Sequence, residues 1–256
     1  MRKIREILSS IFTVLYAIIY IAVIISIIVF FPFVWATRIF GESSRRKVTS
    51  IVTKLWGKIT IYLTFSSVKV IGKKNIPKSA GNVIYIVNHQ SFFDIPILLG
   101  WVDSRISFVA KASLFKIPIL GQWMKLMNCV SVSRKISREE LKKFDEVARY
   151  LSSGGVIAIF PEGTRSSDGS LGKFHPSSFR PARKAKSKIV PVRIVGSFNL
   201  FPRNRKYILP SKILVKIGEP FDYEKYSDMT SAEISEFFRI KIASMGKILS
   251  NQNISK

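Results

Sequence analysis

A histidine and an aspartate lie five residues apart in the heptapeptide NHQSFFD, residues 88–94. An imidazole that is hydrogen-bonded to a carboxylate through one nitrogen can act as a base near neutral pH through the other nitrogen. Five residues of regular helix rotate by about 140°, so His89 and Asp94 can meet only if the chain bends between them. In the alternative interpretation, Asp94 caps a helix that begins near Pro96, and His89 is an ordinary buried histidine.

The segment FPEGTR, residues 160–165, carries groups suited to an anionic ligand. Arg165 can bind a phosphate through two parallel hydrogen bonds, and Thr164 adds a hydroxyl donor. Gly163 allows a ligand to approach the main chain closely. Because Glu162 repels a phosphate, we expect it to orient a basic side chain or a substrate hydroxyl. The alternative is a surface turn whose Glu–Arg pair contributes little to stability.

Both segments follow short, β-branched apolar runs, VIYIV at residues 83–87 and VIAIF at residues 156–160. Such runs are typical of strands covered on both faces. Further candidate strands span residues 189–195 and 213–217, and helical stretches separate the candidates. The pattern predicts an α/β fold in which helices flank a mixed sheet.

Two Ser/Thr-x-x-Glu sequences, at residues 137–140 and 230–233, predict the starts of two of these helices. If the strands before the two polar segments are parallel, His89 and Glu162 meet at one edge of the sheet. Open α/β sheets bind ligands at this edge, beyond the carboxyl ends of the strands. The two segments are therefore predicted to form one site.

The N-terminal segment contains no charged side chain over the 31 residues from 7 to 37. This length exceeds the roughly 20 apolar residues that a helix needs to cross a bilayer. Basic residues flank the segment on both sides and define no clear orientation. A spanning helix is one interpretation; Pro32 and an amphipathic stretch at 48–66 favour a hairpin that enters one leaflet. We predict a membrane-docking helical pair at 1–66 and a catalytic domain at 67–256.

The chain is strongly basic, with 41 Lys and Arg against 16 Asp and Glu and a formal charge of +25. Such a charge attracts an anionic partner. The apolar N-terminus favours an anionic membrane surface over nucleic acid, for which the sequence has no recognised binding motif. Cys129 is the single cysteine, and the two histidines are far apart, so neither a disulfide nor a metal site is expected.

NHQSFFD and FPEGTRS resemble the first and third sequence blocks of the glycerolipid acyltransferase superfamily, and specifically the 1-acyl-sn-glycerol-3-phosphate acyltransferases of the bacterial type. The segment around Lys111 is similar to the part of the family between these blocks. Arg134 stands in the place of the second block, and residues 190–194 resemble the fourth. The likeness extends over residues 68–220.

One departure from the family follows the third block. The family commonly has Phe-Lys-Lys there, whereas this chain has Phe174, His175 and Pro176. Any role of the two missing lysines is therefore in question.

The resemblance implies an enzyme that transfers a fatty acyl group from a thioester to the sn-2 hydroxyl of lysophosphatidic acid in phospholipid biosynthesis. His89, oriented by Asp94, would remove the proton from that hydroxyl. The residues implied to bind the substrate are Glu162, Gly163, Thr164, Arg165, Arg134 and Lys111.

The implied enzyme works without a metal or other cofactor at the cytoplasmic face of the cell membrane. Its donor is acyl-ACP or acyl-CoA, and the residues do not decide between them. A related acyltransferase that uses glycerol 3-phosphate or another lysophospholipid is an alternative, as is a membrane-anchored lipid binder without turnover. A serine hydrolase is disfavoured because the sequence has no Gly-x-Ser-x-Gly elbow.

Overall fold

The strand segments predicted from the sequence lie in one seven-stranded sheet. The structure is a computed structural model that describes residues 2–78, 81–132 and 138–254. The strands are β1 (Ser67–Ile71), β2 (Val83–Val87), β3 (Ser107–Lys111), β4 (Val130–Val132), β5 (Val156–Ile159), β6 (Lys188–Val195) and β7 (Lys212–Ile217).

The sheet is mixed, as predicted. Its order is β1-β7-β6-β2-β5-β3-β4, and all adjacent pairs are parallel except β6 and β7. The two apolar runs of the sequence form β2 and β5, which are neighbours in the centre of the sheet, and every residue of both strands is buried. An unbroken apolar run suits such a strand because helices cover both of its faces.

Helices pack on both faces of the sheet and bury two apolar clusters. Ile61 and Ile97 belong to the cluster on one face, and Leu151 and Phe238 belong to the cluster on the other. The helices are α1 (Arg2–Ala36), α2 (Glu42–Tyr62), α3 (Asp94–Ile97), α4 (Leu120–Leu126), α5 (Arg138–Ser152), α6 (Arg180–Ala185), α7 (Ser197–Leu200) and α8 (Ser231–Ile254).

The predicted capping box at residues 230–233 is present at the start of α8. The Thr230 N–H donates to Glu233 Oε2 at 2.7 Å, and the Glu233 N–H donates to Thr230 Oγ1 at 3.3 Å. These two bonds satisfy main-chain donors that the first helical turn leaves free. The other predicted box begins at Ser137, which lies outside the described residues, and the helix expected after it begins at Arg138.

The N-terminal residues form two helices, but the turn between them is not at Pro32. α1 continues through Pro32. A proline inside a helix removes one main-chain hydrogen bond, but it does not always end the helix. A short 3-10 turn, Thr37–Phe40, follows α1 and leads to Gly41, whose φ of 91° lies in the region that favours glycine. The second helix therefore begins at Glu42, earlier than the expected amphipathic stretch.

α1 packs against the α/β core at two places along its length. Near its middle, the rings of Tyr16 and Phe93 are 6.1 Å apart; near its end, Phe31 and Trp123 meet edge to face with ring centroids 5.6 Å apart. Within the part of the chain that the structure describes, no helix is both long enough and apolar enough to cross a membrane.

α2 crosses the segment after NHQSFFD at very short range. A Cβ added to Gly57 would lie 2.5 Å from the carbonyl oxygen of Pro96 and 2.9 Å from the main-chain nitrogen of Gly100. Both atoms belong to the main chain, so a side chain at residue 57 would have to separate the two segments. The close crossing fixes the position of α3, and Asp94 is the first residue of that helix.

We expect Gly57→Ala to lower the melting temperature of the protein. Overpacking costs about 1–3 kcal/mol, which outweighs the gain of at most about 1 kcal/mol from replacing a helical glycine with alanine. Thermal unfolding followed by circular dichroism in detergent measures the change. Lys54→Ala, at an exposed position of the same helix, is the control. A Gly57→Ala protein as stable as the wild type would contradict the close crossing.

Candidate active site

The two polar segments leave the sheet side by side. β2 and β5 are parallel neighbours, with Ile86 paired to Ile159, so the residues that follow both strands emerge at the same edge. The predicted meeting of the two segments is present: the His89 main-chain N–H donates to Glu162 Oε1 at 2.7 Å.

The chain bends between His89 and Asp94, as their contact requires. His89 Nδ1 lies 2.8 Å from Asp94 Oδ2, and the residues between them are not helical. Because a carboxylate only accepts hydrogen bonds, Nδ1 carries the proton in the neutral ring and Nε2 has a free lone pair. Within the described residues, Nε2 makes no hydrogen bond with the protein. This tautomer is the one that can take a proton from a hydroxyl group.

Asp94 is completely buried and accepts four hydrogen bonds. Besides His89 Nδ1, its Oδ2 accepts the main-chain N–H groups of Gln90 at 2.7 Å and Ser91 at 2.8 Å. Its Oδ1 accepts the Ser197 hydroxyl at 2.6 Å. A buried carboxylate needs such donors to replace the water it has lost.

The alternative role of Asp94 as a helix cap does not describe these contacts. The residue at the N-cap position of α3 is Phe93, and no side-chain hydrogen bond caps that helix. The two main-chain donors to Asp94 both precede the helix. The carboxylate therefore organises the bend around His89.

The imidazole of His89 is held on its face as well as at Nδ1. It stacks on Phe160, the first residue of FPEGTR, with ring centroids 4.1 Å apart and an angle of 22° between the ring planes. The side chain retains 16% exposure, so a ligand can reach it. The phenylalanine that ends the predicted strand thus supports the ring of the other segment.

Glu162 connects the segment around His89 to a third stretch of chain. Its Oε1 accepts the His89 N–H, and its Oε2 accepts the Gly172 N–H at 2.8 Å. Burial raises the pKa of Glu162, and these two hydrogen bonds oppose the rise. The Ser166 N–H donates to the His89 carbonyl oxygen at 2.9 Å, so both polar main-chain atoms of His89 bind the 160–166 segment.

Arg165 lies over the ring of Phe92, with Cζ 3.6 Å from the ring centroid. Burial, and next the positive charge of Arg203, lower the pKa of Arg165. Within the described residues Arg165 forms no ion pair, so its charge is available to an anion. Gly163 has a φ of 66°, and both it and Thr164 are exposed.

Lys111 ends β3, whose parallel pairing with β5 places this exposed lysine at the same edge of the sheet. Arg134 lies outside the described residues. Of the predicted site residues, the structure thus brings His89, Asp94 and Glu162 into contact. It places Gly163, Thr164, Arg165 and Lys111 at the same edge. The roles assigned to them stay predictions.

Two polar residues of this edge have no role in the sequence-based prediction, although one of them, Asn88, begins NHQSFFD. Ser197 follows β6 and donates to Asp94. Asn88 follows β2, and its side-chain amide makes two bonds to Ile194 of β6, donating to the carbonyl at 2.9 Å and accepting the N–H at 2.7 Å. Both residues lie at the carboxyl ends of predicted strands, and this position is the signal that could have revealed them.

Metal-ligating groups do not cluster in the described part of the chain, where no three of His, Cys, Asp and Glu are placed to hold an ion. Burial raises the pKa of Cys129 to about 12. A thiol with this pKa stays protonated at neutral pH and is a poor nucleophile or ligand.

A model of the acyltransferase family matches residues 67–195, half of the chain. A chloroplastic 1-acyl-sn-glycerol-3-phosphate acyltransferase of Arabidopsis thaliana is 36% identical over 165 residues, which cover 64% of this chain and 46% of that protein. A 1-acyl-sn-glycerol-3-phosphate acyltransferase of Borreliella burgdorferi is 27% identical over 196 residues, which cover 77% of this chain and 78% of that protein.

A crystal structure of the 1-acyl-sn-glycerophosphate acyltransferase from Thermotoga maritima is similar over 98% of both chains, with a TM-score of 0.81 and 30% identity. The chain spans about half the length of the two chloroplastic relatives from Arabidopsis thaliana and Brassica napus that it matches. The family match and the agreement in fold over nearly the whole chain lead to one conclusion: this chain belongs to the acyltransferase family.

Proposed function

We propose that the protein transfers a fatty acyl group from an acyl thioester to the sn-2 hydroxyl of lysophosphatidic acid, which gives phosphatidic acid. The observation that carries this proposal is the contact of His89 Nδ1 with the buried Asp94, beside a cationic loop at the same sheet edge. The relatives from Arabidopsis and Borreliella, named 1-acyl-sn-glycerol-3-phosphate acyltransferases, support it.

In the proposed reaction His89 Nε2 removes the proton of the acceptor hydroxyl. At the same time, the oxygen of that hydroxyl attacks the carbonyl carbon of the thioester. The carbon–sulfur bond then breaks, and the leaving sulfur takes the proton back from the imidazolium. A positioned base of this kind contributes roughly 10²–10⁴ in rate. Asp94 holds the ring in the required tautomer and stabilises the imidazolium that forms.

The phosphate of the acceptor is proposed to bind Arg165, Thr164 and the main chain at Gly163. Lys111 at the same edge, and Arg134 from the second sequence block, are the proposed additional cations. Glu162 belongs to this loop, but both of its oxygens accept main-chain N–H groups, which supports an indirect contribution to the site.

The donor is proposed to be acyl-ACP or acyl-CoA, which share the thioester. The chain has 41 basic and 16 acidic residues, and its net positive charge attracts either an acidic carrier protein or an anionic membrane surface. An acceptor other than lysophosphatidic acid, such as glycerol 3-phosphate, would need the same base and the same cations.

Residues 1–66 are proposed to dock the catalytic domain, residues 67–256, at the cytoplasmic face of the membrane as a hairpin. The support is the exposed apolar surface around the turn between α1 and α2. The side chains of Phe33, Ile39 and Phe40 are 68%, 84% and 78% exposed. Apolar side chains next to basic residues are typical of helices that lie in a membrane interface.

We expect His89→Ala to lower acyl transfer to lysophosphatidic acid by about 10²–10⁴-fold, because the base is lost. Mass analysis of products formed from one labelled thioester measures the transfer. Glu219→Ala, at an exposed position after β7 on the opposite edge of the sheet, is the control and should keep its activity. A wild-type protein that binds vesicles but forms no product with any acceptor would favour the alternative of a non-enzymatic lipid binder.

We expect Arg165→Ala to raise KM for the lyso-lipid by about 10–100-fold with a smaller change in kcat, since a charge-assisted hydrogen bond to the phosphate is lost. Steady-state kinetics with the acceptor varied gives both constants. The control is Arg183→Ala, at an exposed position of α6. A loss confined to kcat would argue against phosphate binding by Arg165.

We expect the double variant Ile39→Glu/Phe40→Glu to bind vesicles at least about tenfold more weakly. Burying one such side chain is worth about 1.5–3 kcal/mol, and a carboxylate in its place opposes insertion. Flotation with vesicles that contain anionic lipid measures binding. Ile240→Glu, which changes an exposed isoleucine of α8, is the matched control. Equal flotation of all three proteins would refute docking through the turn.

A further inference from the structure

Glu162 holds the main chain of the proposed base. Its Oε1 accepts the His89 N–H at 2.7 Å, one of the two shortest hydrogen bonds that the main chain of this bend makes. From the other side, the Ser166 N–H binds the His89 carbonyl oxygen at 2.9 Å. The peptide groups on both sides of His89 are thus fixed by residues 162 and 166, and the ring has only Nε2 left for chemistry.

The second oxygen of Glu162 is committed elsewhere. Oε2 accepts the Gly172 N–H at 2.8 Å, and a Cβ added to Gly172 would lie 2.9 Å from this oxygen. The Glu162 residue is only 7% exposed. The carboxylate therefore fills a close-fitting place between two main-chain segments and does not face an open site.

A nearby cation favours the ionised form of this carboxylate. Arg193 of β6 has two buried guanidinium nitrogens, Nε and Nη1, which make no hydrogen bond with the residues that the structure describes. Its charge attracts Glu162 and opposes the rise in pKa of Glu162 that burial causes. An ionised carboxylate can accept N–H groups at both oxygens, whereas a protonated one has a donor in place of one acceptor.

We propose that Glu162 is a positioning residue for His89: it fixes the main chain from which the imidazole projects and does not itself bind the acceptor phosphate. The position of the ring relative to the acceptor hydroxyl then depends on a carboxylate in the other sequence segment. This assignment rests on the proposed acyl transfer with His89 as the base. It gives Glu162 a different role from its neighbours in the loop. Substrate binding is then the proposed role of Gly163, Thr164 and Arg165.

Glu162→Gln tests the assignment, because glutamine has the same shape but only one acceptor oxygen. One of the two N–H groups then faces an NH2 donor. We expect kcat to fall by about 10–100-fold, the equivalent of one hydrogen bond to a charged group, while KM for the lyso-lipid stays unchanged. Glu219→Gln, which alters an exposed carboxylate, is the matched control. A raised KM with an unchanged kcat would overturn the proposal and show that Glu162 binds substrate.

Gly172→Ala supplies a second variant that keeps the carboxylate. The added methyl group has to displace Glu162 Oε2, which is a side-chain atom and not part of the main chain, so the fold should tolerate the change. We expect a lower kcat with an unchanged KM, although Gly172 lies outside both motifs. Ser177→Ala, at an exposed position nearby, is the control. Wild-type kcat in Gly172→Ala would count against the proposal even if Glu162→Gln failed to fold.

NMR of the His89 ring tests the positioning role of Glu162 without an assay of acyl transfer. His175→Gln leaves His89 as the only histidine, so its ring gives a single set of imidazole NMR signals. Adding Glu162→Gln should shift these signals, because the main chain that carries the ring moves, whereas adding Glu219→Gln should not. Unchanged signals would overturn the proposal. A wild-type protein that acylates no acceptor would instead refute the proposed function and leave the NMR result standing.

Discussion

A carboxylate with no exposure to solvent must find protein donors for its oxygens, and Asp94 imposes this requirement on the whole edge of the sheet. Three of its donors come from the bend that follows β2, and the fourth, Ser197, comes from the exit of β6. Satisfying one buried charge therefore specifies the path of the chain from residue 89 to 94. It also specifies where the end of the neighbouring strand must lie. The geometry of the candidate site is a consequence of this local electrostatic constraint.

The order of the central strands makes that convergence possible. β5, β2 and β6 are consecutive and parallel, so three strand exits open on one edge. The side-chain amide of Asn88 forms hydrogen bonds to β6 through its nitrogen and its oxygen. Glu162, which follows β5, accepts the main-chain N–H of His89. Each connection spans a long stretch of sequence, and each uses a polar side chain to bind main-chain atoms. These hydrogen bonds connect the candidate site directly to the central strands of the sheet.

The sequence contained enough information for the central sheet and for the pairing of the two motifs, because unbroken apolar runs followed by polar residues are a strong local signal. It also predicted the bend between His89 and Asp94, since helical rotation excludes their contact otherwise. Pro32, which with the stretch at 48–66 favours a hairpin, does not mark the turn between α1 and α2, because the helix continues through it; Gly41, a residue with positive φ, is the better indicator.

The contacts of Glu162 could not be derived in this way. They depend on Gly172, in a loop whose path no periodic pattern predicts. The contribution of Ser197 to Asp94 likewise depends on the distance between two strand exits, which is a property of the folded sheet. Local patterns define elements and their ends, whereas contacts between loops follow from three-dimensional packing.

The stacking of Arg165 on Phe92 joins the two motifs in one further respect. Phe92 is part of NHQSFFD, so the cation proposed for the phosphate rests on the same bend that holds the imidazole. The separation between the two side chains is then set by the protein, and in the proposed reaction it would set the distance from the phosphate to the reacting hydroxyl along the glycerol backbone. A hydroxyl of the proposed acceptor would be selected by the number of bonds between it and the phosphate. Regioselectivity would thus be a property of the spacing between two packed side chains, independent of the identity of the acyl chain.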